Sequence, residues 1–536
     1  MFIKQNAHSN MNKGDEIMSK DARKGNMEGI DWGITLIPLG IIVIISAALM
    51  LRPEQSQRVI GMLRSFFVND LGFFYILLGI GILGLAVWLA FSKYGSIQLG
   101  KREKPLYSNF KWGAMIFTST MAADILYWSL IEWGYYYGAA PFALENMTLA
   151  QRQDMASAYP LFHWGPIPWG FYILPAVAYA YMMFVKKRQR QSLSEACRPL
   201  LGNKTDKLPG RFIDVFAIVG LLAGTATTFS TATPLLSEAL AHILGIEVTP
   251  VLSIIVLLTI GLVFSAAVLW GMKAISHLAD ICVWIFVALL VIFLVGGPKL
   301  YIIETGITAI GTVVQNFFHM ATWMDPLRLS STGGNGFPQD WTIFYWAYWI
   351  AWFVATPFFI ARISEGRTVK QTVLGGLSCG LLGTWTSFIV FGNFGLYQQT
   401  HGTVAAADML SEGAAPADVI LQLFLQLGTD ATPWLPKLAM LVLIFAMIAF
   451  YASTFDAITL VVAGYSEKDI KRMEEPRKGL RIFWAMVFLL LPIALLFSET
   501  TLSLLQTISI IAAFPLGIIM LMIVYSFFKE LRQEEK

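Results

Sequence analysis

The chain has 536 residues, of which 56% are hydrophobic and only 14% are charged, with a formal net charge of +3. A soluble protein of this length carries about a quarter charged residues, so an ordinary water-soluble enzyme is excluded. The basic residues lie in short loops between apolar runs and give no indication of a nucleic-acid partner. The three cysteines are too widely spaced for a metal or disulfide pattern.

Twelve apolar runs are long enough to cross a bilayer as helices. They lie near 32–51, 71–92, 112–138, 160–185, 212–242, 250–271, 278–298, 339–362, 371–397, 434–464, 480–498 and 503–528. Residues 1–31 are polar and lack the apolar core and cleavage site of a signal peptide, which predicts a tail. Two amphipathic stretches, 301–322 and 403–428, are too interrupted to span and are expected to lie on the outer surface.

Lysine and arginine cluster in alternate loops, which sets the orientation. These residues are Lys93, Lys101, Arg102 and Lys104; Lys186, Lys187, Arg188 and Arg190; Arg362, Arg367 and Lys370; and Lys468, Lys471, Arg472, Arg477, Lys478 and Arg481. In a twelve-span chain they all lie on one side, together with both termini. That side is predicted to be cytoplasmic.

Several spans contain residues that are costly at membrane depth. Span three holds Asp124 and Glu132, span four begins HWGPIPWGFY, span five contains TATTFSTATP, and span eight contains Thr356-Pro357. Charged and helix-breaking residues persist in membranes mainly where they line a cavity or a path. Interrupted helices around a central site are typical of secondary transporters.

Aromatic residues form two helix faces. In span eight, Tyr345, Tyr348, Trp349 and Trp352 share one face; in span four, Trp164, Trp169 and Tyr172 share another. Two such faces can close into a cage for a methylated ammonium group, whose diffuse charge is attracted to ring faces. The alternative is that these rings belong to the aromatic belts at the membrane interfaces.

Three motifs resemble the betaine/carnitine/choline transporter family. They are FSKYGSIQLG at 91–100, LFHWGPIPWGFY at 161–172, and GFPQDWTIFYWAYWIAW followed by FIARISEGRTV within 336–369. The HWGP-PW pattern and the tyrosine run at 135–137 are most similar to its carnitine/γ-butyrobetaine antiporter branch. The resemblance covers the chain from about residue 60 to its end.

The resemblance implies an all-α polytopic membrane protein with twelve transmembrane helices. Two inverted five-helix repeats, a LeuT-like core, would follow two extra helices, and the protein would form a homotrimer. The implied division is 1–31 for the cytoplasmic tail, 32–92 for the extra helices, 93–300 for the first repeat, 301–338 for an outer connection, 339–528 for the second repeat and 529–536 for a short cytoplasmic tail.

The resemblance also assigns an aromatic box for the ammonium group to Trp164, Trp169, Tyr172 and Trp349. Tyr348 and Trp352 are expected to lie on the path beside the box. Position 348 is often Trp in the family, so Tyr348 is a departure that is expected to resize this path.

Span three departs from the pattern of many betaine carriers. Where they have a glycine-rich stretch that accommodates the substrate carboxylate, this chain has Thr120-Met121-Ala122-Ala123-Asp124. An acid at 124 would repel a carboxylate by about 1–4 kcal/mol at roughly 4 Å. With Met121 and Asp124 at the substrate, we expect a net cation such as choline or trimethylamine. The alternative is that Asp124 is protonated, or paired with a hydroxyl or a cation, and does not select the substrate.

Sodium is the expected coupling ion, and no other cofactor is expected. In sodium-coupled members of the family, two hydroxyl residues of span ten pair with carbonyls of span three, which here correspond to Ser453, Thr454, Ala122 and Met121. The antiporter branch instead uses a basic residue, and Ser276 stands at that place. A weaker second ion site is Thr227 with Thr231. The alternative for all these hydroxyls is hydrogen bonding to their own helices.

The sequence thus predicts a secondary transporter of an alkylammonium compound in a bacterial or archaeal cytoplasmic membrane. Sodium-independent exchange of glycine betaine, carnitine or butyrobetaine is the alternative mechanism, and a transporter-like sensor or a channel is the alternative class. Glu132 is expected to have a structural hydrogen-bonding role, with a proton or gate role as the alternative. His163 is expected to cap or bond locally, with titration for function as the alternative.

Overall fold

The computed structural model describes residues 29–118, 122–139, 141–143, 147–270, 272–330, 336–468, 470, 474–496 and 502–534. Within these ranges the chain is helical, and the only extended pairings are two isolated bridges, Ile30 with Glu467 and Gln98 with Thr368. The prediction of an all-α polytopic protein is confirmed.

The first half of the described chain contains twelve helices. In chain order they are α1 Trp32–Leu51, α2 Pro53–Ser65, α3 Gly72–Phe91, α4 Asn109–Thr118, α5 Ala122–Gly138, α6 Leu149–His163, α7 Pro166–Ala180, α8 Leu193–Ala196, α9 Arg198–Leu201, α10 Leu208–Leu244, α11 Pro250–Trp270 and α12 Met272–Gly296.

Ten helices follow in the second half. They are α13 Lys299–Thr322, α14 Ile343–Trp352, α15 Thr356–Ile363, α16 Val369–Ser387, α17 Asn393–Thr400, α18 Ala406–Ser411, α19 Pro416–Phe424, α20 Leu435–Tyr465, α21 Lys478–Leu496 and α22 Leu502–Gln533.

Nine of the described helices are long and apolar enough to cross a membrane, and the number rises to 11 if each of two bent pairs is one span. The remaining predicted span, 112–138, is divided between α4 and α5 by residues outside the described ranges. The count of twelve therefore stays a prediction. Predicted span four begins earlier than expected, because a Thr148–Gln151 capping box starts α6 in the polar sequence before residue 160.

Two helix pairs change direction sharply. The axis of α13 lies at 112° to the preceding span, and α15 lies at 53° to α14. Pro357 lies in the first turn of α15, where a missing N–H donor costs little. The bent pair α14–α15 begins the second predicted five-helix repeat, and discontinuous helices form the binding sites of inverted-repeat transporters.

Helix α14 lies at the centre of the fold. All 10 of its residues are buried, and it packs against α3, α7, α10 and α22. By contrast, α1 presents apolar side chains outward, with Ile44 69% and Leu51 80% exposed. This gradient is the one expected of a bundle whose outer helices face lipid.

Candidate substrate-binding site

Four aromatic rings meet where the breaks in α6–α7 and α14–α15 face each other. The ring centroid of Trp349 lies 5.4 Å from Trp164, 5.3 Å from Trp169 and 4.9 Å from Tyr172. The rings of Trp169 and Tyr172 are 6.0 Å apart. These are the four residues assigned to the aromatic box, and the structure brings all of them together.

The turn between α6 and α7 positions two of these rings. Trp164 ends α6, Gly165 turns the chain, and Pro166 and Pro168 begin α7. A Cβ atom on Gly165 would lie 2.6 Å from the carbonyl oxygen of Leu161, so only glycine fits this turn. The indole of Trp164 is thereby directed across the break toward Trp349.

The box is closed to solvent. Trp164, Tyr172 and Trp349 are 0% exposed and Trp169 is 2% exposed. Because the rings also contact each other, a ligand can reach their faces only if the surrounding helices move. Such a site suits alternating access rather than a permanently open pore.

A buried carboxylate fixes the ring of Trp164. Glu132 of α5 is fully buried and accepts hydrogen bonds from Trp164 Nε1 at 2.8 Å, from Tyr136 Oη at 2.7 Å and from Tyr345 Oη at 2.7 Å. Sequence reasoning gave Glu132 a structural role but missed its bond to the box. The signal that could have found it is an acid in a span, which is a functional candidate by default.

His163 extends this network. Its Nδ1 lies 2.7 Å from Tyr136 Oη and its Nε2 lies 3.0 Å from Thr342 Oγ1. The sequence predicted that His163 would bond locally. Its bonds instead reach α5 and the π-helical turn Pro338–Thr342 before α14. They lock the entrance of α14 against the helix that carries Trp164.

Asp124 lies about two turns before Glu132 on the same helix, α5. Its oxygens accept hydrogen bonds from Tyr348 Oη and, at 3.0 Å, from Thr228 Oγ1. The Asp124 residue is 1% exposed. Asp124 is thus bonded to Tyr348, the residue that precedes Trp349 of the box in α14.

The predicted sodium ligands are only partly described. Ser453 is half-buried and Thr454 buried on α20, and Ala122 begins α5. Met121 and the side chain of Ser276 lie outside the described residues. The Ser453–Thr454–Ala122–Met121 site therefore stays a prediction.

The threonines of α10 bond mainly to their own helix. Thr231 Oγ1 lies 3.0 Å from the carbonyl oxygen of Thr227, and Thr227 Oγ1 lies 3.2 Å from that of Ala223. Thr227 also reaches Ser509 Oγ of α22 at 2.9 Å. This pattern is the one that the packing alternative expects.

Comparison with known proteins now identifies the family. The model of the betaine/carnitine/choline family transporters matches residues 33–536. The chain belongs to this family. A carnitine transporter of Acinetobacter baumannii is 29% identical over 83% of this chain and 79% of its own length. A probable glycine betaine transporter of Desulfitobacterium hafniense is 31% identical over 90% of this chain and 94% of its own.

A solved structure also aligns with this betaine/carnitine/choline family member. It is the substrate-bound, outward-open state of a Na⁺-coupled sialic acid symporter, with 13% identity, 88% of this chain and 86% of that chain covered, and a TM-score of 0.43. Family membership makes the protein a multi-pass membrane transporter and not an enzyme.

In this family member, Trp352 and Tyr348 were expected to line a path. The indole of Trp352 is fully buried and packs on α10, where its Nε1 lies 3.3 Å from the position of a Cβ on Gly224. The Nε1 atoms of Trp349 and Trp352 have no hydrogen-bond partner in the described part of the chain. Tyr348 is bonded to Asp124 and stacks on Phe344 at 5.5 Å.

Proposed function

We propose that the protein takes up a net-cationic methylated ammonium compound, such as choline or trimethylamine, by Na⁺-coupled symport. The observation that carries the proposal is the placement of Asp124, bonded to Tyr348 beside the box residue Trp349. The box supplies ring faces for the methyl groups, and Asp124 supplies the opposite charge.

The charge balance around Asp124 supports a cation. Its two hydrogen-bond donors are neutral hydroxyl groups, and no cationic side chain among the described residues forms an ion pair with it. An unpaired carboxylate at membrane depth is costly, so a cationic substrate would gain by compensating it. A zwitterion would bring a second carboxylate into the same region and lose part of that gain.

Sodium coupling is supported by the hydroxyl pair Ser453–Thr454 on α20, which packs against α5. Hard cations prefer oxygen ligands from hydroxyls and from carbonyls freed at helix breaks. Replacing both hydroxyls, in a Ser453→Ala/Thr454→Ala double variant, should abolish the dependence of uptake on Na⁺. A matched control is Ser411→Ala, which removes an exposed hydroxyl at the end of the short helix α18.

Exchange of glycine betaine or of carnitine and butyrobetaine is the second candidate. Its substrates are those of two relatives, a carnitine transporter and a probable glycine betaine transporter. In this mechanism, uptake would need substrate on the opposite side of the membrane rather than a Na⁺ gradient.

The deciding experiment is uptake into proteoliposomes. Labelled choline, trimethylamine, glycine betaine and carnitine are offered with and without an inward Na⁺ gradient, and with and without internal substrate. The proposal expects choline or trimethylamine accumulation that requires Na⁺. Uptake that ignores Na⁺ and rises with internal substrate would establish exchange instead.

The same vesicles test the transporter against a sensor or a channel. A transporter accumulates substrate above the external concentration, a channel only equilibrates it, and a sensor moves none. A homotrimer with cytoplasmic termini is also proposed, from the resemblance and from the basic loops. Native mass spectrometry gives the subunit number, and accessibility of a terminal tag in right-side-out vesicles gives the orientation.

A further inference from the structure

A cleft of about 580 Å³ lies between α4 and α16, and none of its lining residues belongs to the aromatic box. Both helices begin at the end of the molecule where the basic loops lie. The cleft is lined by Asn109, Trp112, Arg367, Thr368, Lys370, Gln371, Leu374, Gly375 and Cys379. No acidic side chain is among these residues.

The cleft has an apolar floor and a cationic rim. Trp112 is 2% exposed and packs on Gly375, where an added Cβ would lie 2.9 Å from its ring. This close approach, together with Leu374, forms a nonpolar slot along the two helices. The charges of Arg367 and Lys370 stand where the helices begin.

The charge of Arg367 is buried without a carboxylate partner. The residue is 4% exposed, and its guanidinium lies 4.1 Å from the ring centroid of Trp112. It donates to Asn109 Oδ1 at 2.8 Å and to the Tyr107 carbonyl at 3.0 Å, both neutral acceptors. Its Nε has no partner among the described residues, and burial lowers the pKa of this guanidinium.

Lys370 adds a second, exposed cation at the rim. It lies in the first turn of α16, where the helix macrodipole is also positive. Its Nζ lies 5.1 Å from the ring centroid of Phe91. No described carboxylate forms an ion pair with it.

The surface around the cleft is built to meet lipid. Phe110 of α4 is 77% exposed, Leu382 of α16 is 72% exposed and Phe91 of α3 is 67% exposed. Such residues face acyl chains in a membrane-spanning bundle. A molecule that complements the cleft therefore has an apolar tail and an anionic headgroup.

We propose that this cleft binds a membrane phospholipid with an anionic headgroup. Its phosphate contacts Arg367 and Lys370, and an acyl chain lies against Trp112 and Leu374. The bound lipid touches the helix that forms the first half of span three, whose second half carries Asp124. Anionic lipid is thus in contact with an element of the proposed transport site.

The test is lipid retention measured by native mass spectrometry. Purified protein is equilibrated with equal amounts of phosphatidylglycerol and phosphatidylcholine, and the retained lipids are counted for wild type, Lys370→Glu and Lys101→Glu. Lys370 is exposed, so its variant leaves the packing intact. Lys101 is a matched exposed lysine at the same end that does not line the cleft.

Wild type and Lys101→Glu should retain phosphatidylglycerol preferentially, and Lys370→Glu should lower its ratio to phosphatidylcholine about fivefold or more. An unchanged ratio in Lys370→Glu, or an equal loss in Lys101→Glu, would overturn the proposal. Millimolar inorganic phosphate serves as the soluble-anion arm. If it displaces phosphatidylglycerol completely, the site is for soluble anions, and the lipid assignment is wrong.

Discussion

The two buried carboxylates on α5, Glu132 and Asp124, differ in the hydrogen-bond donors that surround them. Glu132 accepts three hydrogen bonds, one of them from the box ring Trp164. Asp124, two turns earlier, accepts bonds from two hydroxyl groups only. Each receives a tyrosine from α14, Tyr345 for Glu132 and Tyr348 for Asp124. We propose that the acid with three donors maintains the shape of the site, and that the acid with two donors keeps acceptor capacity for the substrate.

The largest expected effect comes from Glu132→Ala. It leaves the buried donors of Trp164, Tyr136 and Tyr345 without an acceptor, at about 1–3 kcal/mol each. Expression and the thermal midpoint in detergent should both fall, and uptake of every ammonium substrate should be lost. Glu132→Gln keeps an acceptor and should restore part of the stability. If Glu132→Ala changed the substrate preference but left the thermal midpoint unchanged, the assigned role would be wrong.

The central ring of the box, Trp349, comes next. Trp349→Ala removes the central face of the box, and a desolvated cation–π contact contributes about 2 kcal/mol. The KM for substrate should therefore rise about thirtyfold. Trp346→Ala is the matched control, since Trp346 is equally buried but packs on Phe162, 5.4 Å away between centroids, outside the box. Equal KM values in the two variants would contradict the box.

The Asp124→Asn variant tests whether Asp124, unlike Glu132, selects the substrate by its charge. Removing the charge should weaken choline uptake about tenfold, because attraction between unit charges at about 4 Å amounts to about 1–4 kcal/mol. Glycine betaine uptake should stay level or improve. Competition of the two substrates for labelled choline uptake gives the ratio. A parallel loss for both substrates would mean that Asp124 is structural, like Glu132.

The two tyrosines of α14 give a finer test. Tyr348→Phe removes one of two donors to Asp124 and should raise the choline KM about threefold to tenfold, the change expected for a typical net hydrogen-bond contribution of about 0.5–1.5 kcal/mol. Tyr345→Phe leaves Glu132 with two donors and should lower the thermal midpoint with little change in KM. Kinetic and melting measurements on the pair check this division. A larger increase in KM for Tyr345→Phe than for Tyr348→Phe would contradict the assignment of Tyr348 to substrate affinity and of Tyr345 to stability.

The smallest expected effect is on stability and comes from an exposed acid, Asp206, which contrasts with the buried Glu132 and Asp124. Arg198 donates to both oxygens of Asp206, at 2.7 and 2.9 Å, and holds the pKa of that carboxyl below its usual range. A lowered native pKa adds stability at neutral pH that is lost on acidification. Because the pair is exposed, its contribution is below about 1 kcal/mol.

The measurement compares thermal midpoints at pH 7 and pH 4 for wild type and Asp206→Asn. Wild type should lose slightly more stability than the variant as the pH falls. An equal loss in both would show that the pair contributes nothing.

The sequence located the box but not its support. Ring spacing on spans four and eight, joined by the family motifs, was enough to select Trp164, Trp169, Tyr172 and Trp349. The bond from Trp164 to Glu132 joins residues 32 positions apart, and that from Tyr345 joins residues 213 apart. Contacts of this kind depend on helix packing and leave no local spacing to read.

Helix boundaries show the same limit. Apolar runs found the spans, but α6 begins in a polar stretch because a capping box and tertiary packing compensate for its composition. Helix α13 and the span before it, which ends at Gly296, are together apolar enough to cross a membrane. The axes of the two helices nevertheless differ in direction by 112°. Direction depends on Pro298 and on packing, which hydropathy does not report.

The most direct test of a net-cationic substrate is isothermal titration calorimetry of the purified protein with choline and with glycine betaine. The two ligands share a trimethylammonium group and differ in the carboxylate, so their ratio isolates the effect of Asp124. The account predicts that choline binds about tenfold more tightly or better, and that Asp124→Asn removes the difference. Glycine betaine binding as tightly as choline in the wild type would contradict it.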